Sequence, residues 1–192
     1  MRNAKGTESP SAVLRVEHQN ILRVIGVLRR LVERAAKEGA FERESLARCV
    51  EFFRLYADAC HHAKEEDLLF PAMEARGVPR DGGPIGVMLY EHTVARKHTR
   101  EMGAALEAAQ SGDMDGQPRF LAAARAYIDL LAQHIFKEDN VLFNIGDHVM
   151  TETDQRDLCK RVCEVGCRSF GGKTSGALEQ LAAELESQWP GE

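Results

Sequence analysis

Two ten-residue stretches in this chain carry the same arrangement of groups that could hold a metal. They are His-His-Ala-Lys-Glu-Glu-Asp-Leu-Leu-Phe from His61 to Phe70 and His-Ile-Phe-Lys-Glu-Asp-Asn-Val-Leu-Phe from His134 to Phe143. Histidine, lysine, glutamate, leucine and phenylalanine coincide, which marks an internal repeat. The match extends upstream: Glu17-His18 precedes His61 by 43 residues, and Glu91-His92 precedes His134 by 42. A histidine and a glutamate four residues apart share one face of a helix, about one turn from each other, so both reach one ion or two neighbouring ions. With His18 and His92 the set becomes four imidazoles and two carboxylates: His18, His61, Glu65, His92, His134 and Glu138. That is too many for one tetrahedral site and suits two ions bridged by the glutamates. Nitrogen and oxygen ligands without thiolate favour iron, with manganese and zinc left open.

A lone histidine in an apolar stripe is ordinarily a hydrogen-bonded core residue. Six ionisable groups converging without a metal would each cost several kcal/mol to bury, so for the set the metal reading prevails. His62 and Glu66 have the same spacing as His61 and Glu65, and helical phase does not separate the two pairs. The repeat does, since Lys64, Leu69 and Phe70 align with Lys137, Leu142 and Phe143 in one register only. His61 and Glu65 are therefore the expected ligands, with His62 and Glu66 orienting them or facing solvent.

The elements that position these residues follow from periodicity. Ser9 caps a helix with Pro10 at its first position, and Leu14, His18, Ile21, Ile25, Leu28 and Val32 follow at steps of four and three. A second helix should run from about Glu42 towards Gly77, bent or ended by Pro71. After Gly82, Gly83 and Pro84 the stripe Ile85, Met88, His92, Ala95, Thr99, Met102 and Leu106 continues to Gly112. Beyond Pro118 the fourth helix carries Phe120, Ala124, Tyr127, Leu131, His134, Glu138, Val141 and Ile145 on one face. These features predict an all-α, up-down-up-down four-helix bundle over residues 11–150, behind a flexible N-terminus at 1–10. Residues 151–192 read as a C-terminal extension of two additional short helices, separated by Gly171 and Gly172 and packed outside the bundle.

The bulk numbers fit. At 192 residues with 44% hydrophobic content, the chain can bury a sizeable core. Its 25 Lys and Arg against 30 Asp and Glu give a net charge of -5 with no basic block, so no nucleic-acid partner is expected. Neither a signal peptide nor a membrane span is evident, and five cysteines form no disulfide framework, so a cytoplasmic protein with reduced thiols is expected. Cys159, Cys163 and Cys167 recur every four residues and read as small core residues before a soft-metal or redox site. Cys60, beside His61, is a weaker redox candidate. Tyr127 reads first as packing and second as a donor to a small ligand, and His98 and His148 should face solvent. The oligomeric state is not legible.

At His61 to Pro71, Glu91-His92 and His134 to Phe143 the chain resembles the hemerythrin-like, or HHE cation-binding, family, over roughly His18 to Phe143. The resemblance implies that His18, His61, Glu65, His92, His134 and Glu138 hold a di-iron centre with O2, NO or peroxide as its small ligand, in sensing, buffering or stress protection. Reduction of peroxide or NO, and iron donation in repair, are the alternatives it leaves open, with a metal-free interaction scaffold behind them. Oxygen-carrying members have a further histidine one turn after the third-helix ligand. Here that position is Arg96, which cannot coordinate while charged, so one ion is expected to be more open than in an oxygen carrier. The four-histidine, two-glutamate count resembles bacterial di-iron proteins of iron-sulfur repair, without their cysteine-bearing N-terminal domain.

Overall fold

The structure is a computed structural model that describes residues 9–191, and it is built almost wholly of helix. Helix α1 spans Pro10–Glu38. The Ser9 side chain accepts from the Ala12 amide at 3.2 Å, and Gly39 closes the helix at a φ of 70°, a left-handed cap that suits glycine. The second rod begins as α2 (Arg43–Phe52), widens into the π-helical stretches π1 (Phe53–His62) and π2 (Glu65–Leu69), and ends as α3 (Phe70–Glu74). Pro71 thus bends no regular helix. It sits directly after a widened turn, where the Phe70 amide reaches Glu65 and the backbone ladder is already loosened.

Helix α4 covers Pro84–Gln110. The fourth rod is α5 (Gly116–Lys137), π3 (Glu138–Leu142) and α6 (Phe143–Val149). The π turn shifts the phase of the apolar stripe, so Val141, expected to point inward, is half exposed while Leu142 and Phe143 are buried. The C-terminal part folds as α7 (Glu152–Gly166) and α8 (Ser175–Gln188). Between them Ser169–Phe170 (β1) pairs antiparallel with Lys173–Thr174 (β2) around Gly171 and Gly172, both at positive φ.

Two apolar clusters make the core. One contains Ile21 to Val32 of α1, Leu46 to Ala57 of the second rod, Ala95 to Ala105 of α4 and Phe120 to Ile135 of α5. The other contains Leu14, then Leu68 to Met73, then Ile85 and Met88, then Leu142 and Phe143. On every rod the break between the clusters falls at the chemistry-bearing residues. Helices α7 and α8 do not lie outside this core: Leu178, Leu181, Ala182 and Leu185 join the first cluster and Leu158, Val162 and Val165 the second. A helix with an apolar stripe gains by covering core that the four rods leave open. No described helix is long and apolar enough to cross a membrane.

Candidate metal centre

Between the two clusters lies a layer of buried polar side chains. His18, Glu65, His92 and Glu138 are 0% exposed, and His61 and His134 are 1% exposed. The structure therefore brings all six sequence-predicted residues into one interior layer. Their potential ligand atoms form two groups, one of His18, His61, Glu65 and Glu138 and one of His62, Glu65, His92 and His134, each with those atoms within 4.8 Å of one another.

Glu65 belongs to both groups. Its Oε1 lies 3.5 Å from His61 Nε2 and its Oε2 3.5 Å from His92 Nε2. Glu138 likewise spans the layer, with Oε2 at 3.2 Å from His18 Nε2 and 3.3 Å from His134 Nε2. The inner nitrogens of His92 and His134 stand 3.1 Å apart.

Each imidazole is held from behind. His18 Nδ1 bonds Asp139 at 2.8 Å, His61 Nδ1 bonds Glu17 at 2.9 Å, His92 Nδ1 bonds Glu66 at 2.7 Å and His134 Nδ1 bonds Glu91 at 3.0 Å. Lys64 and Lys137 donate in turn to Glu17 and Glu91, which explains why lysine recurs in the repeat. A carboxylate on Nδ1 fixes the tautomer and leaves the Nε2 lone pair facing inward, as a metal ligand requires.

The electrostatics fit cations. Burial, reinforced by the neighbouring His18, holds His61 well below the ordinary imidazole value. His62 is lowered by burial and by His92. Both are thus neutral, with lone pairs free to coordinate. Burial alone would lower His18 as well, but the carboxylates of Asp139 and Glu138 beside its two nitrogens carry it up to about 9, so the metal-free ring is protonated and a cation would have to displace its Nε2 proton. Burial and the facing Glu138 carboxylate push Glu65 well above the usual carboxylate range, so the metal-free pair retains a proton. Both oxygens of Glu65 and of Glu138, and Nε2 of His18 and His61, are buried without a hydrogen bond. Each such group costs about 1–3 kcal/mol to leave unpaired, and coordination to a cation would satisfy them together.

His62 is the residue that sequence reasoning missed. Expected to orient a neighbour or face solvent, it is 2% exposed, belongs to the second group and stacks on His92 with ring centroids 3.8 Å apart. The cause is π1: a π helix has more residues per turn than an α helix, so consecutive side chains such as His61 and His62 can both point inward. The repeat held a usable signal, since His62 aligns with Ile135, itself 3% exposed. Glu66 does stay outside the layer, hydrogen-bonded to His92 and Arg96. Arg96 hydrogen-bonds Glu66 behind His92, and the second group contains His62 as a further imidazole.

Other candidates fall elsewhere. Tyr127 is buried with its ring 4.7 Å from that of Phe53. His98 is half-buried and pairs with Glu101 at 3.0 Å, and His148 is exposed. Cys163 and Cys167 are exposed, not core residues, because Leu158, Val162 and Val165 form the buried face of α7. Cys60 is buried, which pushes its thiol up to about 11 and away from the reactive thiolate.

Residues 9–145 match the hemerythrin HHE cation binding domain. The chain belongs to this family. It is also similar to uncharacterized proteins of Mycobacterium tuberculosis and Mycobacterium bovis, each 24% identical over 178 residues, which cover 93% of this chain and 69% of theirs. No solved structure matches significantly. Membership of the hemerythrin HHE family, a cation-binding domain, agrees with the buried donor set, whose paired His and Glu groups could hold metal cations.

Proposed function

We propose that the chain is a non-haem di-iron protein that binds or reacts with a small diatomic or peroxide (O2, NO or H2O2), in sensing, buffering or stress protection. The observation that carries this reading is Glu65, whose two oxygens each face a histidine of a different group, as a bridging carboxylate between two ions would. His18, His61 and Glu138 would hold one ion, and His62, His92 and His134 the other, with Glu65 shared. Iron is favoured because the donors are imidazole and carboxylate without thiolate. When bound, such a pair supplies electrons and coordination positions for a small ligand.

The rest is work of the chain itself. Carboxylates on Nδ1 keep the rings oriented, and the two apolar clusters exclude bulk water from both sides of the layer. The rods are read as alternating in direction, a view supported by the order in which each passes first one cluster and then the other. A cytoplasmic setting belongs to this proposal, supported by an odd number of cysteines, five, in a chain long enough to fold without disulfides.

The test is an anaerobic optical titration of the iron-loaded protein with O2, NO and peroxide in turn, followed by reductant. A change in the visible spectrum with at least one of them is expected. A spectrum indifferent to all three would overturn the proposed function.

A further inference from the structure

Arg96 sits one turn beyond His92 on α4, and its guanidinium joins two carboxylates. Its Nε donates to Asp58 Oδ1 at 2.6 Å and its Nη2 to Glu66 Oε1 at 2.8 Å. That Glu66 oxygen also takes His92 Nδ1 at 2.7 Å. Asp58 Oδ1 approaches His62 Nδ1 at 3.5 Å, an ionic contact without a hydrogen bond. The two imidazoles so addressed stack on each other, 15° from parallel, and both belong to the same one of the two ligand groups.

Nothing in the other group corresponds. There, Asp139 behind His18 is met by Arg15 and Glu17 behind His61 by Lys64, a separate cation for each carboxylate. The residue aligned with Arg96 in the first half of the repeat is Leu22, four after His18 as Arg96 is four after His92. The planar guanidinium fork can hold two carboxylates at fixed angles, which the point charge of a lysine cannot.

We propose that Arg96 is a positioning residue that makes the two metal positions unequal. Through Asp58 and Glu66 it holds His62 and His92 as ligands for one ion and has no part in holding the other. The inference rests on the reading of the layer as a two-metal site. The second rod supplies the imidazole of His62 to this group, and the arginine keeps it in place.

The experiment compares wild type, Arg96→Leu, Arg96→Lys and His62→Ala, each loaded anaerobically with ferrous iron enriched in the Mössbauer isotope. Bound iron is counted by elemental analysis, and the Mössbauer spectrum shows which position is filled. Wild type should hold two irons with distinct signals. Arg96→Leu and His62→Ala should each lose the same signal and keep the other, with affinity at the lost position reduced about 10–100-fold. Arg96→Lys should weaken that same position despite keeping the charge, and it decides the matter if Arg96→Leu does not fold. Two irons with the wild-type spectrum in the Arg96 variants, or equal loss of both signals, would overturn the proposal. Wild type that binds no iron would instead overturn the two-metal reading on which it rests.

Discussion

His18 on the first rod and Asp139 on the fourth are joined by a 2.8 Å hydrogen bond, although 121 residues separate them in sequence. Asp139 is the chain neighbour of Glu138, which faces the inner nitrogen of the same imidazole at 3.2 Å. Two adjacent acidic residues thus grip one ring from front and back. Glu65 and Glu66 do the same for His92.

The outer member of such a pair should matter for metal affinity without being a ligand. Asp139→Ala removes the acceptor that orients His18, and metal affinity is expected to fall about 10–100-fold. Competition with a calibrated chelator measures it, with His98→Ala as the control that stays at the wild-type value. An Asp139→Ala protein that competes as well as wild type would show that the back contact does not orient the ring.

Glu65 gives a pH dependence. Its pKa is raised from the ordinary 4.5 in the metal-free fold. An unfolded chain releases that proton near its ordinary value while the fold keeps it, so the stability Glu65 contributes is complete below about pH 4.5 and is lost as pH rises towards its folded value. Glu65→Gln cannot titrate. The metal-free variant should therefore gain on wild type as pH rises from about 4.5 towards the folded value and level off beyond it, followed by urea unfolding. A stability difference that does not change with pH contradicts the shift.

Helix α8 closes the core. Leu185 is 0% exposed in the larger apolar cluster, so Leu185→Ala should cost about 2–5 kcal/mol in urea unfolding. A loss within about 0.5 kcal/mol, as for surface substitutions, would mean that α8 is an appendage.

Much of this was legible in the sequence because α-helical period and a duplicated ligand motif are regular signals. The stripe through Leu14, His18, Ile21, Ile25 and Leu28 is buried as its spacing predicts. The reading failed where the helix departs from α geometry. A π turn carries no sequence period of its own, so α-helical spacing points Val141 inward and leaves His62 to orient a ligand or face solvent, whereas Val141 is half exposed and His62 is buried within the second group. Cys163 and Cys167 were misjudged for a different reason. A four-residue spacing tells which residues share a face but not which way that face points, and Leu158, Val162 and Val165 decide it.

The most direct test of the central claim is a count of bound iron per chain after anaerobic titration of the metal-free protein with ferrous iron, in wild type, Glu65→Ala and Glu138→Ala. Glu65 lies in both ligand groups and Glu138 faces histidines of both, so each variant should lower occupancy below the two irons expected of wild type. Wild type that binds no iron, or glutamate variants that bind as much as wild type, would contradict a metal pair held between the four rods.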